Sequence, residues 1–211
     1  MKTVLKHVLA KFGLYSSVDQ LRRLSQIVSW LRGGCKGIAP PPVKRMILSS
    51  YLKEYRLDQF IETGTHVGDT LAMIAVDKRI NAVSIELDDN YYEAAVRRFS
   101  KWPNVTLLHG DSGILMPDLI RHLDQPTLFW LDGHYSGGLT AKGEQETPVS
   151  TELQTILQSP VSGHVILIDD IRCFDGTHDY PFIDELLNRV RADGRYKVEI
   201  SADILRMTPT N

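Results

Sequence analysis

Cysteine is scarce in this chain, and so are long apolar runs and any general excess of one charge. The 211 residues include two cysteines, Cys35 and Cys173. They are far apart and lack metal-ligand spacing, so free thiols in a reducing compartment are expected, not a disulfide framework or a zinc site. No apolar run is long enough to span a bilayer, and Lys6 and Lys11 interrupt the start where a signal peptide would stay apolar. A cytoplasmic location is the expectation. A net charge of −2 offers no general attraction to nucleic acid, and none is expected as a partner. The G-x-G-x-x-G fingerprint of dinucleotide folds is also missing. What remains, 43% hydrophobic and 24% charged residues, suits one well-filled soluble domain with an extension.

The charge is unevenly spread. Up to Pro42, Lys2, Lys6, Lys11, Arg22, Arg23, Arg32 and Lys36 face a single acid, Asp19. Val4, Leu5, Val8, Leu9 and Phe12 follow helical spacing until Gly13. A second helix is expected from Ser17, with Gln20 as its capping-box partner and Val18, Leu21, Leu24, Val28 and Leu31 as its stripe. Gly33-Gly34 ends it, and Pro40-Pro41-Pro42 reads as a stiff connector. Residues 1–42 are thus a basic helical extension and linker. The stripe of residues 1–36 is expected to dock on its own domain or a second subunit, in a homo-oligomer; the alternative is peripheral contact with the anionic inner membrane surface.

Residues 43–211 alternate. Strands are expected at Gln59–Thr63, Ala82–Leu87, Asn104–Leu108, Thr127–Leu131 and His164–Ile168. Helices are expected around Val43–Tyr55, Thr70–Val76, Tyr91–Phe99, Ile114–His122 and Pro148–Leu157. This is an α/β pattern, a doubly wound, mostly parallel seven-stranded sheet with helices on both sides. After the helix of Phe182–Val190, Tyr196–Ile200 and Ile204–Met207 are so close that they must form an antiparallel hairpin.

Acids and glycines collect at the strand ends, where ligands sit in open α/β sheets. The first core strand runs into Glu62-Thr63-Gly64-Thr65-His66-Val67-Gly68, where glycine allows close backbone approach to a ligand. The second ends in Glu86. The third ends in His109-Gly110-Asp111-Ser112, with Asp111 either a ligand acceptor or a helix N-cap. Two fully apolar strands end in Asp132 and in Asp169-Asp170. Three converging carboxylates need something positive between them, and an oxygen-ligated divalent cation is the simplest candidate.

Glu-x-Gly-x-x-x-Gly, the acid of strand two, Gly-Asp-Ser after strand three and the terminal hairpin resemble class I S-adenosylmethionine-dependent methyltransferases. Asp132 with Asp169-Asp170 is similar to the magnesium-dependent O-methyltransferases of the catechol and caffeoyl-CoA type and to the macrocin-type sugar O-methyltransferases. The resemblance covers Asp58 to Met207 and implies a methyltransferase domain with Rossmann-like topology over 43–211. It implies S-adenosylmethionine bound by Glu62, Gly64, Thr65, Gly68 and Thr70 at its methionine end, by Glu86 at ribose and by Asp111 and Ser112 at adenine, with Asp132 bordering it. It further implies Mg²⁺, or another hard divalent cation, held by Asp132, Asp169 and Asp170. The acceptor would be a small molecule with a hydroxyl group, plausible chemistry being that of a sugar or glycoconjugate. The chain departs from the catechol type at Tyr135, where that type has lysine.

A hydroxyl is a poor nucleophile at pH 7, so a cation that lowers its pKa and a base that takes its proton are both expected. His134, beside Asp132, is the candidate base, its alternative role being to orient substrate. Tyr135 reads as a wall. The glycine-rich stretch from Ser136 to Thr147 carries Lys142 and Glu144 as candidate acceptor contacts, and Thr147-Pro148 reads as a helix cap and first-turn proline. Arg172 either neutralises the acidic cluster or binds an anionic acceptor. A metal-independent methyltransferase and a non-catalytic S-adenosylmethionine- or partner-binding protein are the alternative functions.

Overall fold

Seven strands and seven α-helices follow one another along the described residues, 14–133 and 147–210, of the computed structural model. After α1 (Leu14–Arg32) and α2 (Pro41–Glu54), strands and helices alternate. They run β1 (Gln59–Thr63), α3 (Asp69–Ala75), β2 (Asn81–Glu86), α4 (Asp89–Phe99), β3 (Val105–His109), α5 (Ser112–Arg121), β4 (Leu128–Leu131), α6 (Val149–Leu157) and β5 (Val165–Ile168). A 3₁₀ turn at Ile171–Cys173, α7 (Ile183–Asp193), β6 (Tyr196–Ser201) and β7 (Ile204–Pro209) complete them. The sheet order is β3-β2-β1-β4-β5-β7-β6. β1 to β5 pair in parallel, and β7 is antiparallel to both β5 and β6, so six strands run one way and β7 the other.

Each central strand feeds two cores, because successive side chains leave opposite faces. Ile61, Phe129, Leu131, Ile166 and Ile168 pack beneath α5, α6 and α7, while Phe60, Leu128, Trp130, Val165 and Leu167 pack beneath α2, α3 and α4. That double coverage is why β4 and β5 are apolar at every position. Trp130, 2% exposed, is a core residue. The hairpin closes through Ala202 and Asp203, both with positive φ, as a two-residue primed turn demands.

The N-terminal region departs from the sequence reading in three respects. Residues from Leu14 are already helical, so Ser17 lies inside α1 and not at its start. The three prolines are the cap and first turn of α2 and not a connector: Pro40 is the N-cap, and the missing N–H groups of Pro41 and Pro42 would be unbonded there in any helix. The α1 stripe, finally, is not the face turned to the domain. Leu21, Leu24, Val28 and Leu31 are exposed, while Gln26, Ile27 and Trp30 are half-buried. Farther on, Thr147 is buried and hydrogen-bonded to Tyr180, and Pro148 holds the N-cap position of α6, so Thr147 is not the cap. No helix among the described residues is long and apolar enough to cross a membrane.

Candidate active site

Every strand-end acid singled out in the sequence lies on the carboxyl edge of the sheet, and the seam between β1 and β4 joins them. Gly64 has φ +82°, and a Cβ there would lie 2.7 Å from the carbonyl oxygen of Asp132. Gly68, with φ +74°, would place its Cβ 2.8 Å from the Phe99 ring. The chain's own packing therefore requires both glycines. Thr63 finishes the seam: its hydroxyl accepts from the Asp132 and Gly133 amides at 3.3 and 3.2 Å.

On the β1–β2 side, Glu62 is fully buried and accepts from the Ser84 hydroxyl at 2.7 Å, while Thr65 Oγ1 lies 2.5 Å from Ser84 Oγ. Burial pushes the Glu62 carboxyl up to about 8, against the Ser84 bond and with help from Glu86. Glu86 accepts the His66 amide at 2.6 Å on one oxygen and the Asp88 amide at 2.9 Å on the other, tying strand two to the glycine turn. Thr70 is half-buried on the first turn of α3. Asp111 is the N-cap of α5, accepting from the Gly113 amide at 2.8 Å. Ser112 is turned inward, its hydroxyl 2.5 Å from Glu152 Oε1. Glu152 is itself pushed up to about 7 by burial, and it also bonds Thr63.

On the β4–β5 side, one oxygen from each of Asp132, Asp169 and Asp170 lies within 4.8 Å of the others. Adjacent strand residues point to opposite faces, and Asp170 escapes that rule by leaving the strand in the left-handed region (φ 54°, ψ 43°). Lys44 of α2 enters the cluster, its Nζ 2.5 Å from Asp169 Oδ2 and 3.3 Å from Asp170 Oδ1. Arg172 donates to Asp170 Oδ1 at 2.8 Å and also pairs with Asp203, so it neutralises the cluster. Burial and the neighbouring Asp169 and Asp170 raise the Asp132 carboxyl well above its ordinary range. Burial opposes the Lys44 charge, but Asp169, Asp170 and Asp132 outweigh it and hold the ammonium above its usual pKa.

These residues suit a hard divalent cation in chemistry, being all carboxylate oxygens. They also leave an opening for one: Asp169 Oδ1 is buried with no hydrogen-bond partner among the described residues. Burial raises the Cys173 thiol, which makes it a poor nucleophile. His134, Tyr135, Lys142 and Glu144 lie outside the described residues.

Sequence reasoning missed Lys44, Thr63 and Glu152. Two of these carried a signal. Glu152 shares a helix face with Val149, Leu153 and Ile156, and Lys44 lies one turn before the fully buried Leu48; a charge on a buried face needs a partner.

No known family's sequence profile matches this chain, nor does any curated protein's sequence. Its fold is that of class I methyltransferases. An O-methyltransferase from Bacillus cereus in complex with SAH superimposes with a TM-score of 0.59 at 12% identity, over 88% of this chain and 90% of the other. The O-methyltransferase TomG from Streptomyces achromogenes, in complex with SAM, gives 0.57 at 14% identity over 89% of each. The SAH-bound methyltransferase PaMTH1 from Podospora anserina gives 0.60 at 14%, over 82% of this chain and 80% of its own.

Proposed function

We propose that this protein is an S-adenosylmethionine-dependent O-methyltransferase acting on a hydroxyl of a small polyhydroxylated acceptor, a sugar or glycoconjugate. The observation that carries the reading is the seam itself. The glycine turn and the carboxylate cluster meet at Gly64 and Asp132, so a cofactor over the turn and an acceptor over the cluster would be neighbours. The solved structures in complex with SAH and SAM support the cofactor by their fold.

The sulfonium of S-adenosylmethionine would supply the methyl group. In this reading Glu62, Gly64, Thr65, Gly68 and Thr70 line the methionine end, Glu86 meets the ribose, Asp111 and Ser112 border the adenine, and Asp132 closes the seam. The Ser112 hydroxyl is committed to Glu152, which leaves its backbone as the group available to a ligand. Asp132, Asp169 and Asp170 would hold Mg²⁺, which when bound lowers the pKa of a hydroxyl beside it. His134 is assigned the hydroxyl proton, and Thr63, by holding the amides of Asp132 and Gly133, fixes where the chain departs toward it. One observation favours a second, metal-independent reading: Lys44 already supplies a cation to the cluster.

Calorimetry of S-adenosylmethionine binding, with Mg²⁺ and with EDTA, tests the proposal on the wild type and on the Asp132→Ala/Asp169→Ala double variant. The variant is expected to keep the cofactor and lose Mg²⁺. A wild type that binds no cofactor under either condition overturns the methyltransferase reading.

A further inference from the structure

Among the described residues, three carboxylates here face two cations, and the two cations are not alike. Arg172 is shared with Asp203 and half-exposed; the Lys44 side chain is 15% exposed and, among the described residues, pairs with Asp169 and Asp170 alone. Lys44 also comes from outside the sheet. Its helix is set by Pro40 at the N-cap, by the Ala39 amide on the Ala202 carbonyl at 3.2 Å, and by Arg45, whose guanidinium lies 3.9 Å from Asp69. Even so Asp169 is incompletely satisfied, since its Oδ1 has no partner among the described residues. A divalent cation taking Asp169 and Asp170 as ligands, even through the open Asp169 Oδ1, would sit beside the ammonium on the same two carboxylates, and the two positive charges would repel at contact distance. The lysine has a flexible four-carbon stem on which to withdraw.

We propose that Lys44 is a tethered counter-ion: its ammonium occupies the carboxylate cluster in the metal-free protein, and a divalent cation must displace it to bind. This rests on the metal-dependent reading above, and it makes α2 part of the site's affinity control. The ammonium holds Asp169 and Asp170 in place through its two ion pairs, so the cluster's geometry is preserved without metal while weak or scarce cations are refused.

The test is a Mn²⁺ titration, followed by calorimetry, of the wild type, Lys44→Gln and Lys44→Arg, with S-adenosylmethionine binding measured on the same samples. Lys44→Gln is expected to bind Mn²⁺ at least about tenfold more tightly than the wild type, and Lys44→Arg no more tightly. Equal or weaker binding by Lys44→Gln overturns the proposal, as does equal tightening by both variants. If neither the wild type nor Lys44→Gln binds Mn²⁺, the proposal and the metal-dependent reading both fall, and retained cofactor binding would still uphold the methyltransferase. A second measurement needs no variant. Amine acylation of wild-type Lys44, read by mass spectrometry, should rise several-fold with saturating Mn²⁺; unchanged or reduced labelling overturns the displacement.

Discussion

On the β1–β2 half of the carboxyl edge, Glu62 and Glu86 are held by a hydroxyl and by backbone amides; on the β4–β5 half, Asp169 and Asp170 are held by an ammonium and a guanidinium. Both halves bury acids, yet they solve the cost of burial differently. The first half lets Glu62 take up a proton and keeps Glu86 in fixed dipoles, which gives shape and direction. The second sets cationic side chains on flexible stems against its carboxylates, which leaves it responsive to a competing cation. A site that must recognise one constant ligand suits the first arrangement, and a site that must exchange its occupants suits the second.

The comparison breaks most severely at the seam. Gly64→Ala would force a Cβ against the Asp132 carbonyl in a left-handed backbone, with no side chain able to yield. A loss of about 2–4 kcal/mol is expected in urea unfolding. A variant as stable as the wild type would show that the halves are not locked together.

Next comes pH. Glu62 and Glu152 have folded values near 8 and 7, raised from 4.5. Between the unfolded and folded values the native state holds the proton and the unfolded state does not. Stability from these groups is therefore full below about pH 4.5 and declines as pH rises to about 8. The slope should approach ~1.4 kcal/mol per pH unit for each group. Glu62→Gln should make the decline from pH 5 to 8 visibly shallower in urea melts; an unchanged slope would place the proton elsewhere.

The smallest effect belongs to Arg172. Its side chain is 46% exposed, so Arg172→Gln should cost less than about 1 kcal/mol and lose even that in high salt. A much larger, salt-insensitive loss would mean that the guanidinium, and not Lys44, carries the charge balance.

The sheet was legible in the sequence because its determinants are local. Val165-Ile166-Leu167-Ile168 can only be a strand buried on both faces, and the close spacing of Tyr196–Ile200 and Ile204–Met207 admits only a hairpin. The acids at the strand ends were legible for the same reason, since topology brings strand ends together whatever the side chains. The charge balance was not. Lys44 meets Asp169 across 125 residues, and its place on a buried helix face signals a partner without saying which acid that is. The orientation of Ser112 was hidden likewise, because Glu152, its partner, lies 40 residues on. The α1 stripe misled for the opposite reason: apolar spacing identifies a face, but not whether that face is covered.

Lys44 and Arg45 are neighbours on a helix, so their side chains diverge by about 100°. One reaches the β5 carboxylates and the other approaches Asp69 at the head of α3. The helix thus works as a key with two teeth, cut at a fixed distance from the Ala39–Ala202 anchor. Insertions before Ala39 leave its rotational register untouched. A single residue gained or lost between Ala39 and Lys44 would turn both teeth away from their wards, so the proline cap is where this chain can least afford a change in length.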